Sequence, residues 1–130
     1  MIAEAKDVRE IAQAHYQFAV VFFDEGIRKS RDECFNHSHE ETVKAVEAYP
    51  NFPDAVLLDG RALAYLRQDD AAKAKFQAYL TMKAEDDADR QRAIRYLARP
   101  ELVRARMAPP FAVQPWTENG YLWTIYRVRL

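Results

Sequence analysis

PDAVLLDGRALAYL, residues 53–66, reads as a one-sided helix with a glycine in its middle. Pro53 and Asp54 suit a first turn, where a missing N–H costs nothing and an acid meets the positive end of the helix dipole. Ala55, Leu58, Ala62 and Tyr65 recur at three- and four-residue steps, the stripe of a helix that packs on one face. Gly60 lies inside that helix, at a cost of about 1 kcal/mol relative to alanine. The cost is met if a neighbouring helix comes close enough to leave no room for a Cβ. The segment is therefore read as one half of a tightly packed helical pair.

The same texture continues on both sides. DVREIAQAHYQFAVVFFDE, residues 7–25, carries an apolar stripe of Val8, Ile11, Ala14, Phe18, Ala19 and Phe22. Gly26 is expected to stop that helix in a left-handed cap. Ser30-Arg31-Asp32-Glu33 has the form of a capping box and opens a second helix, from about Arg31 to Tyr49. Its inner stripe is Phe35, Ser38, Thr42, Ala45, Val46 and Tyr49, and the prolines of YPNFP end it. The opening stretch supplies the third helix, residues 54–67. Asp69 and Asp70 are N-cap candidates for a fourth, with Ala72, Phe76, Tyr79 and Leu80 inward. EDDADRQRAIRYLAR, residues 85–99, begins on acids and ends on arginine, as the helix dipole favours. Ile94, Tyr96, Leu97 and Ala98 form its apolar side, and Pro100 starts a short sixth helix to about residue 107.

Beyond Met107 the chain turns β-branched and aromatic. Asn119-Gly120 between two such runs is a hairpin signal, and Pro115 confines its strand to an edge. The expected architecture is mainly all-α: a helical domain over 1–107 and a β-hairpin extension over 108–130. Both sides of the last strand carry large apolar groups, so the hairpin is expected to be covered by the helices or by a second copy of the chain.

The composition narrows the functions. The chain has 130 residues, three glycines, one cysteine and a net charge of −1. One cysteine excludes an internal disulfide and a CxxC redox pair. Three glycines leave no phosphate-binding loop, and no nucleotide fingerprint is present. The longest apolar run, FAVVFF at residues 18–23, is too short to cross a bilayer. MIAEAKDVRE has acids where a secretion signal has bases, so a cytoplasmic location is the default expectation. Residues 1–50 hold ten acids and six bases, whereas residues 90–130 hold two acids and eight arginines. Pairing within the chain, or an anionic partner surface, accounts for that asymmetry. Nothing resembles a nucleic-acid-binding motif.

The densest cluster of reactive side chains is CFNHSHEE, residues 34–41. On a helix Cys34 shares a face with His37, and His37 with Glu40 and Glu41, but His37 and His39 diverge. A structural zinc site needs four convergent ligands, and a thiol nucleophile needs a base and an orienting group. Neither set is complete. His15 is expected to pack or to face a groove. No catalytic residue, metal or cofactor is assigned, and a non-enzymatic protein is expected.

From Pro53 to Ala84 the sequence resembles a tetratricopeptide repeat, a helix–turn–helix unit of 34 residues. Gly60 matches the small residue of the unit's first helix, Ala72 and Phe76 match the alanine and aromatic of its second, and Pro50-Asn51 closes the preceding unit. Tyr79 departs where alanine is usual, and Ala84 replaces the closing proline. The preceding unit admits two registers. Counting back from Gly60 gives Gly26 as its equivalent; aligning AHYQFAVVFFDEG with the first helix gives Ala19 instead. The second buries more apolar side chains and is preferred. A third unit would begin near Asp87, place Ile94 at the small position, and act as a solvating end helix. The resemblance covers about residues 10–107, or about two and a half units.

The resemblance implies a protein–protein interaction scaffold whose first helices line a concave groove. The lining positions are Gln13, Tyr16, Val20, Phe23 and Asp24 in the first unit. In the second they are Asp54, Leu57, Arg61, Ala64 and Tyr65, and the end helix adds Gln91 and Arg95. Of the aromatic set, Tyr16 and Phe23 are expected to be partly exposed and Phe18 to be core. Arg61 and Arg95 fall on equivalent positions and should line one wall, suiting a peptide with an acidic group and an apolar anchor. Val20 and Arg61 stand where clamp-type members carry asparagine, so clamping of a C-terminal carboxylate is not implied. RPELVRARMAPPFAVQ, residues 99–114, resembles the lead-in to a thioredoxin-like domain through Ala108, Pro109, Phe111 and Val113, without CxxC after Trp116 or Trp123. That implies, as an alternative, a structural, oligomerisation or adaptor module preceding such a domain.

Overall fold

The computed structural model describes residues 3–105, with side chains from Asp7 onward. The expected hairpin at 108–130 and the end of the sixth helix lie outside the described residues. Within them the regular structure is helical: α1 (Ala3–Lys29), α2 (Asp32–Ala48), α3 (Pro53–Tyr65), α4 (Asp69–Met82), α5 (Ala88–Ala98) and α6 (Glu101–Arg104). The helices pack mainly in chain order, α1 on α2, α2 on α3, α3 on α4 and α4 on α5.

The contacts fix the directions. Along α1, Ala12 clusters with Ala45, the Ala19 carbonyl accepts a hydrogen bond from Ser38 Oγ at 2.9 Å, and Gly26 meets Phe35. As α1 advances its partner positions in α2 recede, so the two are antiparallel. Ala12, Ala19 and Gly26 recur every seven residues, two helical turns, and all three are buried. Small side chains on one face let α2 approach closely, as close packing requires. α2 and α3 run antiparallel through Phe35 stacked on Tyr65 at 4.5 Å and Tyr49 against Phe52. α4 and α5 do so through Phe76 on Tyr96 and Arg90 on the Leu80 and Lys83 carbonyls. α1 and α3 touch each other directly. Phe23 meets Tyr65 at 5.5 Å and Tyr16 meets Phe52 at 5.2 Å, an ordering that makes them parallel neighbours.

Several local expectations are corrected. Gly26 does not stop α1, which runs to Lys29 and ends on Ser30 in the left-handed region (φ 54°). A Cβ on Gly26 would lie 2.8 Å from the Phe35 ring, so it is a close-approach site, as Gly60 is. With Ser30 so used, no capping box forms, and Arg31 is the N-cap of α2 without a side-chain bond. Gln68, not Asp69 or Asp70, precedes α4, and both acids lie in its first turn. Asp87 does cap α5, accepting from the Arg90 N–H at 2.9 Å. In α5 the buried small residue is Ala93, one position before Ile94, which is exposed.

The largest correction concerns α1. Ile11 and Phe18, read as inward, are 49% and 57% exposed, whereas Phe23, expected partly exposed, is 3% exposed. α1 carries apolar residues on two faces, and the face bearing Ala12, Ala19 and Gly26 is the one α2 accepts.

Candidate functional site

The wall shared by α1 and α3 collects five of the candidate residues, Tyr16, Val20, Phe23, Arg61 and Tyr65. Phe23 projects from α1 into a cluster with Ala19, Phe35, Leu58 and Ala62, against which Tyr16, Val20 and Tyr65 pack half-buried. The Arg61 guanidinium of α3 lies over the Phe23 ring, its carbon 4.8 Å from the centroid, within cation–π range. Its Nε is buried without a hydrogen-bond partner among the described residues. The contact with the ring and the burial of Nε restrain the guanidinium.

Tyr16 stands on the same wall. Burial, followed by the Asp54 carboxylate, pushes its phenol above the ordinary tyrosine value, with Asp89 adding to the rise and Arg61 opposing it. The wall therefore combines an aromatic face with the Arg61 cation. Such a surface offers apolar contact and charge pairing, and among the described residues it holds no nucleophile–base pair.

The other candidates are dispersed. Leu57 is buried in the core with Phe76 and Tyr79 and, like Phe23, offers no side-chain surface. Ala64 is buried as well, while Asp24 and Asp54 are exposed. Gln13 lines a shallow cleft of about 160 Å³ with Arg9, Tyr49 and Phe52. Gln91 is exposed and donates to Asp86. Arg95 is exposed on α5, which packs on α4 and α6, and no contact joins it to Arg61 among the described residues. A wider cleft of about 510 Å³ opens at the Asp54 end, lined in part by Pro53, Met82 and Lys83.

The histidine–carboxylate pairs were not legible in the sequence. His39 Nδ1 lies 2.6 Å from Asp59 Oδ1, and Lys75 Nζ lies 3.7 Å from the other oxygen, so one buried carboxylate ties α2 and α4 to α3. His15 pairs with Glu41 at 2.7 Å, joining α1 to α2. His37 faces Phe22 and Glu40 instead, so the residues of CFNHSHEE diverge. No group of three metal-ligating side chains occurs among the described residues. Nor is any described helix long and apolar enough to cross a membrane.

Three of the described C-terminal arginines are held by acids within the chain. Arg92 pairs with Asp89, Arg99 with Glu101, and Arg104 with Asp69 at 2.9 Å and the Ala64 carbonyl at 2.6 Å. No family model, no curated protein and no solved structure matches this chain.

Proposed function

We propose that the chain is a tetratricopeptide-like, non-enzymatic interaction module that holds a peptide or protein segment along the α1–α3 wall. One observation carries the reading: Arg61, stacked on Phe23 beside Tyr16, has a buried nitrogen without a partner and no ion pair among the described residues. Arginine and tyrosine fixed in a packed setting are typical anchors of protein interfaces. A carboxylate on the ligand meets the cation, and an apolar side chain beside it rests on Tyr16 and Val20. Because the helices are packed before binding, little ordering entropy is lost. The alternation of antiparallel partners with a parallel α1–α3 contact supports the tetratricopeptide-like reading.

A displayed random-peptide library panned against the full chain tests this. The expected outcome is enrichment of sequences with an acid near an apolar residue, lost with a Tyr16→Ala/Arg61→Ala variant of unchanged helicity. Enriched sequences that bind the variant equally well would contradict the reading.

A further inference from the structure

The outward face of α1 has no partner among the described residues. Ile11, Phe18 and Val21 are 49%, 57% and 59% exposed, and Ala14 is exposed between them. They recur at steps of three, four and three residues, the seam spacing of paired helices. A helix that only meets water on that side carries polar residues there. A contiguous row of apolar side chains instead marks a contact surface.

The charges along α1 say what covers it. On the side of α1 that carries Phe18, exposed Asp7 and Glu10 stand near its start and exposed Arg28 and Lys29 at its end, whereas exposed Arg9 and Asp24 point away around the helix. A second α1 laid alongside in the same direction would bring like charges together. Laid antiparallel with the two-fold axis at Phe18, it sets Phe18 against its own copy and Ala14 opposite Val21 and Phe22. Asp7 and Glu10 of each helix then fall near Lys29 and Arg28 of the other, and Glu25 falls opposite Ile11. The pairs that Arg28 and Lys29 make with Glu25 are exposed, so they leave those cations free to engage a partner.

We propose that the chain forms a two-fold symmetric dimer through antiparallel α1 helices, with Phe18 at the axis. Such a contact is self-complementary and closes on itself. At 1.5 Å per residue the apolar row from Ile11 to Val21 is about 15 Å long, a contact of the small, transient kind. The dimer is accordingly reversible and concentration-dependent. Phe18 and Tyr16 point about 160° apart around the helix, so the seam leaves the α1–α3 wall free, and this proposal stands independently of peptide binding.

Sedimentation equilibrium of the full chain across the micromolar range tests it. The mass should rise from 15.1 kDa towards twice that value. Phe18→Glu should abolish the rise while leaving the far-ultraviolet circular dichroism per chain intact. Reversing Asp7 and Glu10 to lysine should weaken association severalfold, and adding Arg28→Glu with Lys29→Glu should restore it. A wild-type chain that stays at the monomer mass at every concentration, as when residues 106–130 cover the face, would overturn the proposal. So would a dimer that Phe18→Glu leaves unchanged, or a charge reversal without rescue.

Discussion

Gly60 shows how a single missing atom sets the distance between two helices. A Cβ there would lie 2.7 Å from Cε1 of Phe76, a ring that is fully buried and held from its other side by Tyr96. Alanine would gain about 1 kcal/mol of helix propensity and lose about 1–3 kcal/mol to overpacking. Gly60→Ala should therefore lower the melting temperature, and trimming the ring with Phe76→Leu in the same chain should recover part of the loss. The role of Gly60 was legible in the sequence, because a glycine inside a good apolar stripe weakens its helix unless a neighbour needs the space. The equivalent role of Gly26 was not. Two acids before it and a serine after it look like a helix end, and only the position of Phe35 shows that the helix continues. Asp59 was also hidden, since an aspartate beside a glycine gives no sign that it is 2% exposed. Asp59→Ala strips His39 and Lys75 of their shared carboxylate and should destabilise the fold by about 1–3 kcal/mol, measured by urea unfolding; Asp59→Asn, which keeps an acceptor, should cost less.

At the scale of the element, periodicity located the helices but did not choose the buried face of α1. Residues 11, 14, 18 and 21 satisfy helical spacing as well as residues 12, 16, 19 and 23. The partner decides: α2 packs where Ala12, Ala19 and Gly26 permit close approach, and the bulkier row is left outside. Two phenylalanines on one helix therefore differ in consequence. Phe23→Ala should cost about 3–5 kcal/mol of stability, and Phe18→Ala within about 0.5 kcal/mol of nothing in the monomer, both by chemical denaturation at low concentration. The α5 terminus makes a different test. The Lys83 ammonium, followed by the Arg90 N–H, holds the Asp87 carboxyl below the ordinary carboxylate value. Asp87 in turn raises the Lys83 ammonium, which so remains charged well beyond neutral pH. A lowered carboxyl contributes stability that is present above its unfolded value, about 3.9, and that is lost as pH falls through the lower folded value. Backbone protection in α5, followed by amide exchange, should be flat through neutral pH and fall only below about pH 4; a fall already at neutral pH would contradict this role of the cap.

Among the described residues, six short-linked helices give a chain-ordered stack, and the all-helical texture through residue 105 was readable from composition and punctuation. The wall was readable only in part. Tyr16, Val20, Arg61 and Tyr65 come together as half-buried side chains because α1 and α3 are parallel neighbours. Phe23 and Leu57, assigned to the same wall, are consumed by the core instead. Gln91 and Arg95 stand apart because α5 reaches the stack through α4 and α6. The resulting surface is small, and among the described residues its cation is Arg61. Binding along the wall therefore stands or falls on a titration calorimetry measurement: a peptide recovered from the displayed library, titrated into the wild-type chain and into Arg61→Ala at matched helicity. The expected result is a loss of about tenfold or more in affinity, the 1.4 kcal/mol that follows when an arginine anchor is truncated. An affinity unchanged by Arg61→Ala would contradict the assignment of the wall.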